Sequence, residues 1–101
     1  FEYSNIVEAE ILPPAKFSLE QNYPNPFNPT TIIKWQTPKE AFQTLKVFDV
    51  LGNEVAILVS EEKPAGNYEV SFDASKLSSG VYYYQLRSGE FIQTKKMIYL
   101  K

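Results

Sequence analysis

At 101 residues the chain is one domain's worth of polypeptide, and its formal net charge of −2 gives neither a basic field for nucleic acid nor a polybasic membrane patch. It has no histidine and no cysteine, which removes the usual general base, the thiol nucleophile, transition-metal ligands and disulfide staples. Aromatic residues make up 15% of the sequence, enough to build a workable core at this size, because each ring buries a large area.

No apolar run has the length of a membrane span, and no amino-terminal signal peptide is present. Membrane insertion is therefore not expected, and no residue pattern calls for a cofactor. Residues 1–12 read as a separate unit: the tail strand of a preceding fibronectin type III-like domain, or a linker. The alternative is a strand that pairs with this domain or with another copy. Pro13-Pro14 forms a stiff polyproline-like spacer behind it, so the domain proper is expected over residues 13–101.

A first strand is expected over residues 17–20. It is followed by Asn22-Tyr23-Pro24-Asn25-Pro26-Phe27-Asn28-Pro29, where each proline fixes φ, deletes an N–H donor and biases the residue before it toward extended geometry. Such a segment is neither helix nor central strand. The expectation is a stiff corner anchored by burial of the Tyr23 and Phe27 rings.

Beyond the corner, runs of strand length occupy 30–36, 44–50, 54–59, 67–73, 81–87 and 91–100. Tyr68, Val70 and Phe72 alternate with Glu69, Ser71 and Asp73, the mark of one buried and one wet face. The four glycines, Gly52, Gly66, Gly80 and Gly89, fall between these runs and read as turn residues. Glu61-Glu62-Lys63-Pro64 reads as a solvated loop, and 73–79 as a single turn of helix plugging one end.

The expected fold is a seven-stranded antiparallel immunoglobulin-like β-sandwich. Its inward residues are predicted to be Leu19, Phe27, Ile33, Trp35, Leu45, Val47, Val55, Leu58, Tyr68, Val70, Phe72, Leu77, Tyr82, Tyr84, Leu86, Ile98 and Leu100.

Few residues invite chemistry. The carboxylate pairs Glu8/Glu10 and Glu61/Glu62 lie on polar stretches, with nothing nearby to bury one of them and split their pKa values. Asp49, Asn53 and Asp73 match no calcium-loop spacing and read as turn caps. Tyr82-Tyr83-Tyr84 suggests a sugar-stacking row, but adjacent strand residues face opposite ways, so packing is the better reading. In the last run, Lys95, Lys96 and Lys101 stand among β-branched and aromatic residues with no acid after Glu90. Such lysines discourage edge-to-edge aggregation, and they also suit a strand that a receptor grips, by edge pairing among other routes.

The stretch from Phe17 to Ile33 resembles the opening of type A C-terminal sorting domains of the type IX secretion system, found in Bacteroidetes-type bacteria. Three later blocks are similar in order: Val47-Phe48-Asp49-Val50-Leu51-Gly52-Asn53-Glu54-Val55, Ala65-Gly66-Asn67-Tyr68-Glu69-Val70-Ser71-Phe72-Asp73, and Leu77-Ser78-Ser79-Gly80-Val81-Tyr82-Tyr83-Tyr84. The final Lys95-Lys96-Met97-Ile98-Tyr99-Leu100-Lys101 also fits. The resemblance implies a non-enzymatic export signal at the tail of a cargo protein, recognised by the type IX translocon. Sortase-like components would then release the parent or attach it to the cell surface. It also implies that the last seven residues take part in recognition. Two rival readings are a structural or adhesive module, self-assembling through the N-terminal strand, and a carbohydrate-binding appendage of a secreted glycosidase.

Overall fold

Seven strands form where the apolar runs alternate, and the computed structural model describes them within residues 15–101. They are β1 (Ser18–Leu19), β2 (Thr30–Thr37), β3 (Ala41–Phe48), β4 (Glu54–Lys63), β5 (Gly66–Asp73), β6 (Gly80–Ser88) and β7 (Phe91–Tyr99). The separate unit predicted over 1–12 lies outside the described residues. All strand pairings are antiparallel. They build a three-stranded sheet, β1-β2-β5, and a four-stranded sheet, β4-β3-β6-β7. The fold is the expected all-β sandwich.

The core between the sheets is carried by large side chains from every strand but β4. Ile33, Leu45, Val47, Tyr84, Leu86 and Met97 are fully buried, with Phe27, Trp35, Phe72, Tyr82 and Tyr99 nearly so. From β4 and β5, Val55, Leu58, Tyr68 and Val70 pack against this cluster while half-buried, as Leu77 does from the following turn. Ring pairs reinforce the core: Phe27 stacks on Tyr99 at 5.3 Å between centroids, and Trp35 on its cross-strand partner Tyr68 at 5.8 Å. Tyr82 donates its hydroxyl to the Ser78 carbonyl four residues upstream at 2.7 Å. This is the corner contact typical of immunoglobulin-like sandwiches.

Several boundaries depart from expectation for identifiable reasons. β3 begins at Ala41 and ends at Phe48, earlier than the predicted 44–50. Gln43 sits in the core, where its amide accepts from Trp35 Nε1 at 2.9 Å and donates to the Thr37 hydroxyl at 3.3 Å. A polar residue thus continues the inward pattern because its bonds are made inside. β4 runs on through Glu61, Glu62 and Lys63, so that charge run is strand, not loop. It lies on an edge, where charges deter further pairing, and its register with β3 shifts twice, at Leu45/Lys46 and at Val47/Phe48.

No helical turn forms at 73–79. Asp73 caps the Ser75 amide at 2.8 Å, and the Leu77 amide bonds the Ala74 carbonyl at 2.8 Å. Ala74, rather than Leu77, is the fully buried plug. Two of the four glycines are also reassigned, since Gly66 and Gly80 open β5 and β6. Gly52 and Gly89 do sit in turns, at φ +87° and +61°, where a side chain would be strained.

The last strand is one residue out of phase with the prediction. Met97 and Tyr99 are buried, whereas Ile98 is half-buried on the outer face and Leu100 is exposed. Register decides this: Met97 lies opposite Tyr82 and Tyr99 opposite Gly80, and directly opposed residues share a face. Once Tyr82 and Tyr84 point inward, Met97 must too.

Candidate functional site

The proline corner is built around a buried amide rather than two buried rings. Asn22 is 2% exposed and Phe27 likewise 2%, but Tyr23 is 79% exposed. The expectation that Tyr23 anchors the corner is therefore overturned. Asn22 donates from Nδ2 to the Pro24 carbonyl at 3.1 Å and to the Thr31 hydroxyl at 3.0 Å, while Thr31 also donates to Pro24 at 2.8 Å. The Pro24 carbonyl is thus satisfied by two side chains, whereas those of Tyr23, Phe27 and Pro29 accept from backbone amides. Bonding Pro24 and Thr31 at once excludes a tyrosine from the inward slot.

Tyr84 reaches the same knot from the opposite sheet. Its hydroxyl accepts from the Asn22 amide at 2.8 Å and donates to the Glu20 carbonyl at 2.6 Å. Burial pushes this hydroxyl's pKa up to about 12, outweighing the opposing pull of the Asn22 amide. One phenol thus pins the chain leaving β1 to the four-stranded sheet. The peptide bonds before Pro24, Pro26 and Pro29 are all cis.

From this knot the corner crosses between sheets and runs beside β7. Gln21 Nε2 donates to the Lys96 carbonyl at 2.7 Å, and Asn25 Oδ1 accepts from the Ile98 amide at 2.9 Å. The Phe27 amide bonds the Ile98 carbonyl at 3.0 Å, and the Leu100 amide bonds the Phe27 carbonyl at 3.1 Å, a short parallel bridge. Farther up, the Phe17 and Phe91 rings stack at 4.6 Å. The outer edge of β7 from Lys96 to Leu100 is therefore occupied by the chain itself. Strand addition there would first have to displace the corner.

The predicted recognition residues do not form one platform. Lys95 lies opposite Tyr84, on the inward side, while Lys96 lies opposite Tyr83 on the outer face. Tyr83 likewise points away from Tyr82 and Tyr84, as the alternation required. Lys101 is fixed by a bond from its amide to Ser79 Oγ at 2.9 Å.

One end of the sandwich collects the corner, the β3–β4 hairpin tip, the β5–β6 turn and the end of β7. The pairings of Thr30 with Asp73, Phe48 with Glu54 and Gly80 with Tyr99 place them together, and the Ala74 amide ties the turn to the Pro29 carbonyl at 2.8 Å. The chain leads into β1 at the opposite end, beside the β6–β7 turn. At roughly 3.3 Å per residue, the nine residues of β7 separate these ends by about 30 Å.

At the hairpin tip, Asp49 Oδ1 accepts from the Leu51 and Asn53 amides, both at 2.9 Å, and Oδ2 from Asn53 Nδ2 at 3.3 Å. The bond from the Asn53 amide, ahead of the others, lowers the Asp49 pKa. Asp73 is lowered by the same device, chiefly through the Ser75 amide. Both carboxylates are thus turn caps. A shallow groove of about 340 Å³ lies on the three-stranded sheet beside Tyr23, lined by Glu20, Gln21, Ile32, Lys34 and Glu69.

The sequence marks Asn22 and Asn25 as side chains able to bond nearby backbone, and both bond backbone groups, but it did not show Asn22 as the corner's buried centre; nothing local marked Gln43. No curated protein and no solved structure matches the chain. A family does: from the glutamine that bonds β7 to the last residue that the corner holds, residues 21–100 match the secretion system C-terminal sorting domain. The chain belongs to that non-enzymatic family and is a C-terminal sorting signal of type IX secretion, which exports its parent across the outer membrane to the cell surface or the extracellular space.

Proposed function

We propose that the domain works as a rigid ligand, with cargo attached at one end and the type IX translocon reading the other. The residues read would include the last strand, Lys95, Lys96, Met97, Ile98, Tyr99, Leu100 and Lys101. Met97 and Tyr99 act from inside by fixing its height, Lys95 lies on that same inward side, and Lys96, Ile98, Leu100 and Lys101 act by the relief they present. Sortase-like components would then remove the domain or exchange it for a surface anchor.

The observation that supports this most is the run of bonds from Gln21, Asn25 and Phe27 to Lys96, Ile98 and Leu100. It holds the strand in one conformation before any partner arrives. Pre-ordering of this kind lowers the entropy lost on docking. The separation of about 30 Å between the start of β1 and the end of β7 suits a signal that must serve whatever cargo precedes it.

Fusing residues 1–101 behind a periplasmic reporter tests the reading. The fusion should reach the surface of a type IX-competent cell and remain periplasmic in a strain lacking the translocon. Retention in both strains, with the domain folded, would contradict it.

A further inference from the structure

The two outer faces of the sandwich differ in kind. On the three-stranded sheet the outward side chains of β2 and β5 are polar apart from Ile32. On the four-stranded sheet, register turns outward Phe42 and Phe48 of β3, Ile57 of β4, Tyr83 of β6, and Ile92 and Ile98 of β7. Phe42 and Ile57 are each 54% exposed and Ile92 48%. A sheet face left to water alternates to polar residues. This one carries apolar side chains on all four strands, the mark of a face that another surface covers.

The charges on that face are sorted by strand. Glu54 and Glu62 lie on the β4 edge, Arg87 on β6 and Lys96 on β7. Between them Lys46 of β3 meets Glu54 Oε1 at 3.4 Å, leaving Oε2 to a second partner. Glu62, Arg87 and Lys96 enter no ion pair among the described residues. Glu61 and Lys63, on the other parity of β4, pair with each other at 2.9 Å, and Lys95 is on the inward side. Lys39, Glu40 and Glu90 belong to the turns beyond the strand ends.

A face sorted in this way is complementary to itself. Sheets packed face to face keep their strands nearly aligned, so a two-fold axis between two copies runs either along the strands or across them. Along the strands, it sets β4 of each copy over β7 of the other, and β3 over β6. Glu54, Phe48, Tyr83 and Lys96 form one row across the sheet. Glu54 of each copy then meets Lys96 of the other, Phe48 covers Tyr83, and Glu62 lies one strand and one row from Arg87. Across the strands, β4 would lie on β4 with its acids together, which is repulsive. The eight residues of β3 and four strands about 4.8 Å apart give a face of roughly 20 by 25 Å. Two such faces bury on the order of 1,000 Å², the low end of specific interfaces.

We propose that the outer face of the β4-β3-β6-β7 sheet is a self-association surface, on which a second copy packs about a two-fold axis parallel to the strands, Glu54 of each against Lys96 of the other. Sedimentation velocity of residues 1–101 between about 1 and 300 µM should show a reversible monomer–dimer equilibrium. Ile57→Asp and Ile92→Asp should each weaken it by roughly tenfold or more. Leu51→Asp, at an 82% exposed apolar position outside the face, should leave it unchanged.

Lys96→Glu and Glu54→Lys should each weaken the dimer by roughly tenfold, because both contacts become like-charged. An equimolar mixture of the two should regain wild-type affinity, since the mixed pair restores both contacts. Unchanged melting temperatures show that the variants are folded, and the charge variants decide the matter if an isoleucine variant is not. A wild-type chain that stays monomeric throughout the range would overturn the proposal and leave the face to a different protein. A dimer indifferent to Ile57→Asp and Ile92→Asp would overturn it too. Failure of the mixture to regain what the single reversals lose would overturn the axis.

Discussion

Asn22 and Tyr23 stand side by side with opposite fates, and the difference follows from what each side chain can satisfy. The slot behind the prolines presents the Pro24 carbonyl and the Thr31 hydroxyl, so it takes an amide. Asn22→Ala should cost about 2 kcal/mol, because it strands buried acceptors and leaves the Pro24 carbonyl short of a donor. Tyr23→Ala should stay within about 0.5 kcal/mol; urea midpoints of the two variants check this. Hydrophobicity alone ranks the two residues the wrong way round, which is why the corner's anchor was misread while its existence was plain.

Tyr84 gives the same knot a pH dependence. Its folded pKa of about 12 lies above the ordinary tyrosine value near 10, so the folded state favours the protonated form. The associated stability is fully present below about pH 10 and is lost as pH rises through about 12. Tyr84→Phe should be less stable than wild type at neutral pH, since the Asn22 amide and Glu20 carbonyl lose their partner. The gap should narrow between pH 10 and 12. A gap in urea midpoint that stays constant over that interval would refute the assignment.

Among the elements, β7 shows best what alternation conveys and where it stops. In β5 the pattern Tyr68-Glu69-Val70-Ser71-Phe72 is one-sided, and the strand was legible to within a residue. In β7 both parities of Met97-Ile98-Tyr99-Leu100 are apolar, so face could not be read locally and was set by register with β6. The consequence is measurable. Met97→Ala should cost about 2–5 kcal/mol as a core truncation, whereas Leu100→Ala should cost under about 1 kcal/mol. The β3 and β4 limits were displaced for a related reason: Gln43 and the Glu61-Glu62-Lys63 run look like loop residues until their partners are known. Native-state hydrogen exchange should also find the Phe27, Ile98 and Leu100 amides protected together, as members of one bridge.

For the molecule as a whole, the sheet count, the cross-sheet packing and the family's blocks were all visible in the sequence. The gathering of the corner, the hairpin tip and the end of β7 was not, because it depends on which ends of the two sheets coincide. That coincidence turns a set of separate motifs into one presented surface. On the reading proposed above, recognition depends on the folded shape rather than on the last residues as a linear peptide. The most direct measurement plots surface reporter, per unit of fusion in the periplasm, against folded fraction at growth temperature for wild type, Asn22→Ala, Phe27→Ala and Met97→Ala. Export should fall in step with the folded fraction, although none of these changes alters the tip and only one alters the final seven residues. Undiminished export of the unfolded variants would contradict the account.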